Sequence, residues 1–579
     1  MTEQGSKLDA LYEREWQWQL KEWPTLATYA GDPRFDALWN DEREEAIESR
    51  KEHEVDVLGE IRSFARESLA ADEQLNYDLF LRNLESAVEG HRFPSELMPV
   101  SQMGGPHQDI PDVLQSQPRR NESDLRKVIE RLRRVPALVE QTIALMRRGA
   151  TAGVVHPRVV LRDMTRLLGE SVVEDPTTSA IYEVAFAELP NSIPNDVQKR
   201  IQTEGLAAIH ESVTPAFAAL RAFFDQTYLP ASRESIALSN LPDGDAWYQY
   251  QIAQHTTTSM TADEIHELGL SEVERIRSQM EAIRKATGFT GTLNEFFSFL
   301  RDDSRFFFDD ADSLVVAYRD ICKKIDPGLS RLFKTLPRLP YGVLPVPAYS
   351  QETQTTAYYY PGAPDAGRPG YFFANTFDLK SRPKWEMEAL SLHEAVPGHH
   401  LQIALAQELT SVPNFRRFVN YTAFVEGWAL YAESLGEDLG LYTDPYSKFG
   451  QLTYEMWRSI RLVVDTGMHA RGWSRDQAIR FFRENAGKTD HDIVVEVDRY
   501  IVWPGQALAY KVGELKIREL RRRAESALGS GFDIRRFHDA VLEAGPLPLS
   551  MLEARIGSWI ERERQGGAFA GLSLAERGQ

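Results

Sequence analysis

The apolar residues of this chain recur every three or four positions over most of its length, and that spacing is typical of amphipathic helices. The pattern covers residues 40–90, 122–149, 196–226, 261–286 and 312–335. Glycine and proline interrupt it at Gly104–Pro106, at Pro190–Pro194 and at Pro230–Asp245. The spacing therefore predicts a mainly α-helical fold, in which the runs of charged residues are solvated helix faces without an assigned function.

The segment between Leu336 and Phe377 breaks this pattern. It opens with the proline-rich stretch LPRLPYGVLPVP, which cannot be a helix. Two β-prone runs follow, Thr355–Tyr360 and Gly370–Thr376, around a Pro/Gly turn. We therefore expect a small sheet at about 340–377 inside a catalytic region spanning 251–579, preceded by an N-terminal helical region spanning 1–250.

Composition restricts the class of protein. The chain has 66 basic and 86 acidic residues, a net charge of −20, so a phosphate backbone would repel it and no nucleic-acid partner is expected. Its only cysteine, Cys322, excludes an intramolecular disulfide and a cysteine-based zinc site. The sequence contains no run of ~18 apolar residues, so we expect no membrane-spanning helix. The first thirty residues lack the apolar core of a signal peptide, so we expect a cytoplasmic protein.

Three of the 13 histidines lie together in HEAVPGHH, which starts at His393. In the zinc-peptidase motif H-E-x-x-H, helical spacing puts two imidazoles on one face, with the glutamate beside the metal. Here the fourth residue after His393 is Pro397, which cannot continue an undisturbed helix. We expect a bulge or break at Pro397–Gly398 that brings His399 to the position of the second ligand. His400 is the alternative.

A third ligand is expected from the apolar segment FVEGWALYAE, where an ionised carboxylate is costly unless it is paired or binds metal. Glu426 is the candidate ligand. Glu433 lies seven residues further on the same face and would hold a histidine. Zinc in hydrolases usually takes three protein ligands and leaves one position for water. Glu394, next to a ligand, is the candidate general base that accepts the proton of that water.

Peptide hydrolysis also needs a donor to the oxyanion. The candidates are His469, Tyr500 and Tyr510, with core packing an equal alternative for both tyrosines. Asp465 precedes His469 by one helical turn and could orient it. Arg458 and Arg461 are, like Asp465, unusual on so apolar a segment.

The run Gly370–Thr376 could be an edge strand that pairs with an extended peptide. Arg368 and Asn375 are then candidate substrate-binding residues. A purely structural hairpin is an equal alternative for this segment.

The segments HEAVPGHHLQ, FVEGWALYAE, WRSIRLVVDTGMHARGW and RYIVWPGQALAYKVG resemble the family called Domain of Unknown Function 885. The likeness extends to ATYAGDPRFD and GVVHPRVVLRDM, and so covers nearly the whole chain. It implies a zincin-like fold and a metal-dependent peptidase. A weaker likeness to thimet-oligopeptidase-like and Taq-carboxypeptidase-like peptidases aligns Gly398-His399 and Glu426 with their second and third ligands. The chain departs from both by an insertion inside the motif.

These observations lead to one main hypothesis, a zinc peptidase with one Zn²⁺ per chain bound by His393, His399 and Glu426. The resemblance implies an internal cleft that admits short peptides. Other divalent ions accept the same ligands. The alternatives are an amidase or esterase acting on a small non-peptide substrate, and a non-catalytic metal-binding helical scaffold, against which Glu394 argues. The sequence predicts neither the substrate, nor exo- or endopeptidase mode, nor the oligomeric state.

Overall fold

The computed structural model describes residues 3–348, 350–352 and 354–575, with side chains up to residue 566. The chain forms two compact units, one of Met1–Gly244 with Pro413–Phe415 and one of Asp245–Val412 with Arg416–Gln579. Helices predominate in both. Within the described residues no helix combines the length and the apolar composition that a membrane-spanning segment needs.

The first unit is helical throughout. Its helices are α1 Glu3–Glu22, α2 Pro24–Ala30, α3 Glu44–Arg62, α4 Ala71–Gly90, α5 Pro106–Ser116, α6 Glu122–Arg133, α7 Val135–Ala152, α8 Met164–Gly169, α9 Ala180–Tyr182, α10 Asn195–Ala208, α11 Thr214–Phe223 and α12 Leu229–Ala231. The π-helical turns Ile209–Val213 and Phe224–Tyr228 join α10 to α12, so the predicted helix over 196–226 is present. The predicted helix over 122–149 is divided, because Pro136 lies in the first turn of α7, where its missing N–H costs nothing.

From residue 244 the helices continue with a single interruption. They are α13 Gly244–Thr256, α14 Ala262–Ala286, α15 Leu293–Asp302, α16 Ala311–Ile325, α17 Met387–Glu394, α18 His399–Gln407, α19 Asn414–Arg417, α20 Thr422–Ser434, α21 Gly436–Leu439, α22 Pro445–Ala470, α23 Arg475–Asn485, α24 Asp490–Val502, α25 Ala509–Leu528, α26 Ile534–Leu542 and α27 Leu549–Ala575. Helix α22 is buried on all sides from Phe449 to His469. Its charged side chains must therefore find partners inside the protein.

The interruption is a three-stranded sheet made of β1 Tyr341–Pro345, β2 Ala357–Tyr360 and β3 Gly370–Ala374. The small central sheet is confirmed. Its strand β1 lies in the proline-rich stretch, where the sequence predicts no strand. The strand order is β1-β3-β2, with β1 parallel and β2 antiparallel to β3. The prediction that the run from Gly370 forms an edge strand for a peptide is wrong. Both sides of β3 are already paired with neighbouring strands, so its backbone groups are used.

Helices α20 and α25 cross at very close range in the second unit. A Cβ placed on Gly513 would lie 1.8 Å from the main-chain oxygen of Ala423, and one on Gly427 would lie 2.5 Å from the carbonyl carbon of Gly513. Only glycine permits this approach. Gly427 directly follows Glu426, and Gly513 lies one turn after Tyr510, so the crossing sets the positions of two predicted site residues.

Candidate metal centre

The HEAVPGHH segment contains the predicted helix break. Helix α17 ends at Glu394 and α18 begins at His399, with a cis peptide bond between Val396 and Pro397 in the intervening turn. The indole Nε1 of Trp428 donates to the main-chain oxygen of Pro397 at 2.8 Å. The turn is therefore attached to α20, the helix that carries Glu426.

The turn brings two histidines and a glutamate together. His393, His399 and Glu426 each offer a ligand atom, and these atoms all lie within 4.8 Å of one another. The Nε2 atoms of His393 and His399 lie 3.6 and 3.4 Å from the same oxygen, Oε2 of Glu426. The two imidazole planes are nearly perpendicular, at 88°. Three side chains from three helices thus converge on one point.

These separations fit a bound divalent ion better than direct hydrogen bonds. Both exceed the usual 2.7–3.2 Å of an N–H···O bond. Two ligands at about 2.05 Å from a tetrahedral ion would lie about 3.3 Å apart. Oε2 of Glu426 and Nδ1 of His399 are buried, and neither has a hydrogen-bond partner among the described residues. Two imidazoles and a carboxylate are also a common ligand set for zinc.

The electrostatics of the group keep its carboxylate ionised. Burial by itself would raise the pKa of Glu426, but the imidazoles of His399 and His393 hold that pKa well below its usual value. Burial likewise opposes the charged form of His393, yet the carboxylates of Glu426 and Glu433 raise its pKa to about 9. Glu426 therefore remains available as an anionic ligand.

His400, the alternative ligand, has other contacts. Its Nδ1 lies 2.9 Å from the hydroxyl of Tyr359, and its Nε2 lies 3.0 Å from the main-chain oxygen of Leu339. Burial lowers its pKa to about 4, so it is a neutral, hydrogen-bonded side chain. The structure brings His399, and not His400, to the other two residues.

Glu433 orients His393. Its side chain is fully buried, and its Oε1 accepts a hydrogen bond of 2.8 Å from Nδ1 of His393. This contact fixes the imidazole with Nε2 directed at Glu426, as carboxylates do for metal-binding histidines. Nη2 of Arg458 lies 3.6 Å from the same carboxylate oxygen.

Glu394, the predicted general base, is the last residue of α17 and directly follows His393. It is buried, with 6 % of its surface exposed. Its negative charge contributes to the raised pKa of His393. The carboxylate is thus close enough to interact electrostatically with a member of the triad.

The tyrosine of α25 lies beside the triad. The ring of Tyr510 is nearly parallel to that of His393, at 14°, with their centres 6.5 Å apart. Its hydroxyl accepts a hydrogen bond of 3.0 Å from Nη2 of Arg499. Tyr510 is therefore the predicted oxyanion donor that the structure brings to the site.

The other two predicted donors belong to a buried network. The hydroxyl of Tyr500 donates to Glu496 at 2.5 Å, and Nε2 of His469 lies 2.9 Å from the main-chain oxygen of Tyr500. Asp465, expected to orient His469, accepts hydrogen bonds from the hydroxyl of Tyr248 and from N of Gly505. Direct roles for Tyr500 and His469 stay predictions.

The predicted substrate-binding residues lie in the sheet region. Asn375 is buried, and its amide nitrogen donates to the main-chain oxygens of Gln351 and Thr355, so it holds the segment that leads into β2. The guanidinium of Arg368 lies 5.8 Å from the centre of the Tyr360 ring. Binding of substrate by either residue stays a prediction.

Two arginines beside Tyr510 have no role predicted from the sequence. Nη2 of Arg461 contacts Oε2 of Glu496 at 2.9 Å, and Nη1 of Arg499 contacts Oε1 of Glu496 at 3.3 Å. Nε of Arg461 donates to the hydroxyl of Tyr500. Arg461 is recognisable in the sequence as a charge on an apolar segment. Arg499 is not, because α24 also carries Asp490, Asp492, Glu496 and Asp498.

Comparison with known proteins places the chain in a family. No curated protein matches it. A solved structure from Colwellia psychrerythraea is 28% identical with a TM-score of 0.92, covering 96% of this chain and 99% of that one. Another, from Shewanella oneidensis, is 18% identical with a TM-score of 0.67 over 95% and 99%, which shows the fold alone. Both are described as a "putative lipoprotein", the second as one of unknown function. The family described as "Bacterial protein of unknown function (DUF885)" matches residues 24–556. The chain therefore belongs to the DUF885 family.

Proposed function

We propose that this protein is a metal-dependent hydrolase, a zincin-like zinc peptidase that cleaves short peptides. The observation that carries the proposal is the convergence of His393, His399 and Glu426. The Nε2 atoms of His399 and His393 lie 3.4 and 3.6 Å from Oε2 of Glu426, and that oxygen has no hydrogen-bond partner among the described residues. A divalent ion held by these residues would polarise the scissile carbonyl and lower the pKa of a bound water molecule.

Two residues of the chain would complete the reaction. Glu394 takes a proton from the attacking water and passes it to the leaving amine. The hydroxyl of Tyr510 already accepts from Arg499, so its own proton is free for donation to the developing oxyanion. Hydrolysis then breaks the C–N bond, with a hydroxyl group added to the acyl carbon and a proton to the amine.

The net charge of −20 supports the expectation that the protein has no nucleic-acid partner. We propose a cytoplasmic location and no membrane partner. Fractionation of the producing cells, with immunodetection of the untagged protein, would test this; recovery in the membrane fraction would contradict it.

Metal content tests the proposed site. Mass spectrometry of the purified chain after zinc loading is expected to give one Zn²⁺ per chain. His399→Ala and Glu426→Ala should lose the ion. His400→Ala is the matched control and should keep it, because its ring nitrogens contact Tyr359 and Leu339. A wild type that binds no zinc would overturn the proposal.

Turnover tests the proposed base. Glu394→Gln should keep the metal and lose activity against a peptide library, because the amide cannot accept the proton of water. Activity that persists in this variant would remove Glu394 from the mechanism.

A further inference from the structure

Three buried arginines surround the ring of Tyr510. The guanidinium carbons of Arg461, Arg458 and Arg499 lie 4.3, 5.9 and 6.0 Å from the ring centre. Arg458 and Arg461 are three residues apart on α22 and so share a face of that helix. Tyr510 also stacks against His393, so the arginines and this proposed metal ligand are neighbours of the same ring.

The cluster has unused hydrogen-bond donors. The three arginines are only 3 to 7 % exposed. Nevertheless Nε of Arg458, Nη1 of Arg461 and Nε of Arg499 have no hydrogen-bond partner among the described residues. Buried polar atoms are nearly always paired, so unpaired donors on three adjacent side chains call for an acceptor.

The cluster also has an excess of positive charge. Within the described part of the chain, the carboxylates that contact the three arginines are Glu433 and Glu496. Glu433 is in addition the partner of His393. An arginine cannot lose its proton, so an uncompensated buried guanidinium requires an anion.

Another buried cation of the same unit is compensated. Lys511 is fully buried and contacts three carboxylates, those of Glu272, Glu455 and Glu514, at 3.1, 2.8 and 2.9 Å. The excess of positive charge at the arginine cluster is thus not found around Lys511.

From these observations we propose that Arg458 and Arg461 bind the free α-carboxylate of a peptide substrate, which makes the enzyme an exopeptidase acting at the C-terminus. The proposal rests on the proposed function. A carboxylate matches the planar guanidinium in shape and charge. One extended residue spans at most ~3.6 Å. The arginines and His393 are neighbours of the same Tyr510 ring. A substrate whose terminal carboxylate binds the arginines would therefore place a bond one or two residues from its C-terminus near the proposed metal ligands.

The first test measures binding and needs no turnover. Calorimetry would compare N-acetyl amino acids of alanine, leucine, phenylalanine, lysine and aspartate with their carboxamides on the full chain. At least one free acid is expected to bind about 30-fold or more tightly than its amide, because loss of a buried charged partner costs that much. Equal binding of acid and amide across the panel would overturn the proposal.

Variants assign the discrimination to the arginines. Arg461→Gln and Arg458→Gln should each lose most of the preference for the free acid. Arg475→Gln is the control, because Arg475 pairs with Asp498 outside the cluster and should leave the preference unchanged. If Arg461→Gln fails to fold, Arg458→Gln decides. A preference that survives in the folded variants would refute the assignment.

The second test separates this inference from the proposed function. Peptides with a free C-terminus should be cleaved with release of C-terminal residues, while their amidated forms resist. Equal cleavage of both forms would leave a peptidase and overturn the exopeptidase proposal. If no peptide is cleaved, the proposed function fails, and the binding panel still decides whether the arginines bind a carboxylate.

Discussion

Replacement of Gly513 by alanine tests the helix crossing that positions the site. The new Cβ would lie 1.8 Å from the main-chain oxygen of Ala423, against about 3.4 Å for an ordinary contact. Neither atom is the end of a flexible side chain, so α20 and α25 must move apart by more than an ångström. Such overpacking costs about 3 kcal/mol, and the helix propensity of alanine returns only about 1 kcal/mol.

Gly59→Ala provides a matched control with the opposite sign. Gly59 lies on α3, is exposed, and has no atom within 4 Å of the position of an added Cβ. Alanine there should stabilise its unit by up to about 1 kcal/mol. The two identical substitutions should therefore differ by about 3 kcal/mol in the free energy of unfolding.

Urea titration followed by circular dichroism would measure both changes, with each variant compared at the unfolding transition of its own unit. A Gly513→Ala variant within 0.5 kcal/mol of the wild type would refute the reasoning, since the helices would then accommodate a methyl group without moving. The same result would mean that the crossing does not fix the distance between the glutamate of α20 and the tyrosine of α25.

Two further predictions concern buried carboxylates. Glu433→Gln should weaken zinc binding about 10- to 100-fold, because the amide orients His393 less firmly than the carboxylate does. Competition with a chelator would measure the dissociation constant of zinc. An unchanged dissociation constant would contradict the prediction. Burial, only partly offset by hydrogen bonds from Tyr248 and Gly505, raises the pKa of Asp465 to about 7. The folded state therefore keeps a proton that the unfolded state loses above about pH 4, and stability falls as the pH rises towards 7. Relative to Asp465→Asn, the wild type should lose about 2 kcal/mol of unfolding free energy between pH 5 and pH 7; parallel stability curves would refute the assignment.

The sequence predicts best where the relevant contacts are local. Pro397 predicts the break between α17 and α18 because a proline ring clashes with the preceding turn whatever surrounds it. The seven-residue spacing of Glu426 and Glu433 predicts one helix face, and the structure gives one residue to the triad and the other to His393. These relations lie within two helical turns.

Predictions fail or stay open where the deciding contact is distant in sequence. The run from Gly370 has the composition of a strand, but its place between β1 and β2 depends on residues around 341 and 357. An edge and a central strand of five residues have the same local pattern. Asn375 likewise has a side chain suited to binding a substrate. In the structure, however, its amide nitrogen donates hydrogen bonds to main-chain oxygens of residues more than one strand earlier, Gln351 and Thr355.

The arginines show how local and distant information combine at the site. Their presence on the apolar helix α22 could be recognised as unusual from the sequence, because a buried charge is costly wherever it lies. Whether they serve stability or a ligand depends on the charges around them, which come from helices α20 and α24, 25 or more residues away. Only that balance distinguishes Arg461, with an unused donor beside Tyr510, from Lys511, whose charge is neutralised within its own helix and by α14 and α22. A buried cationic side chain is thus structural at Lys511 and a candidate for substrate binding at Arg461.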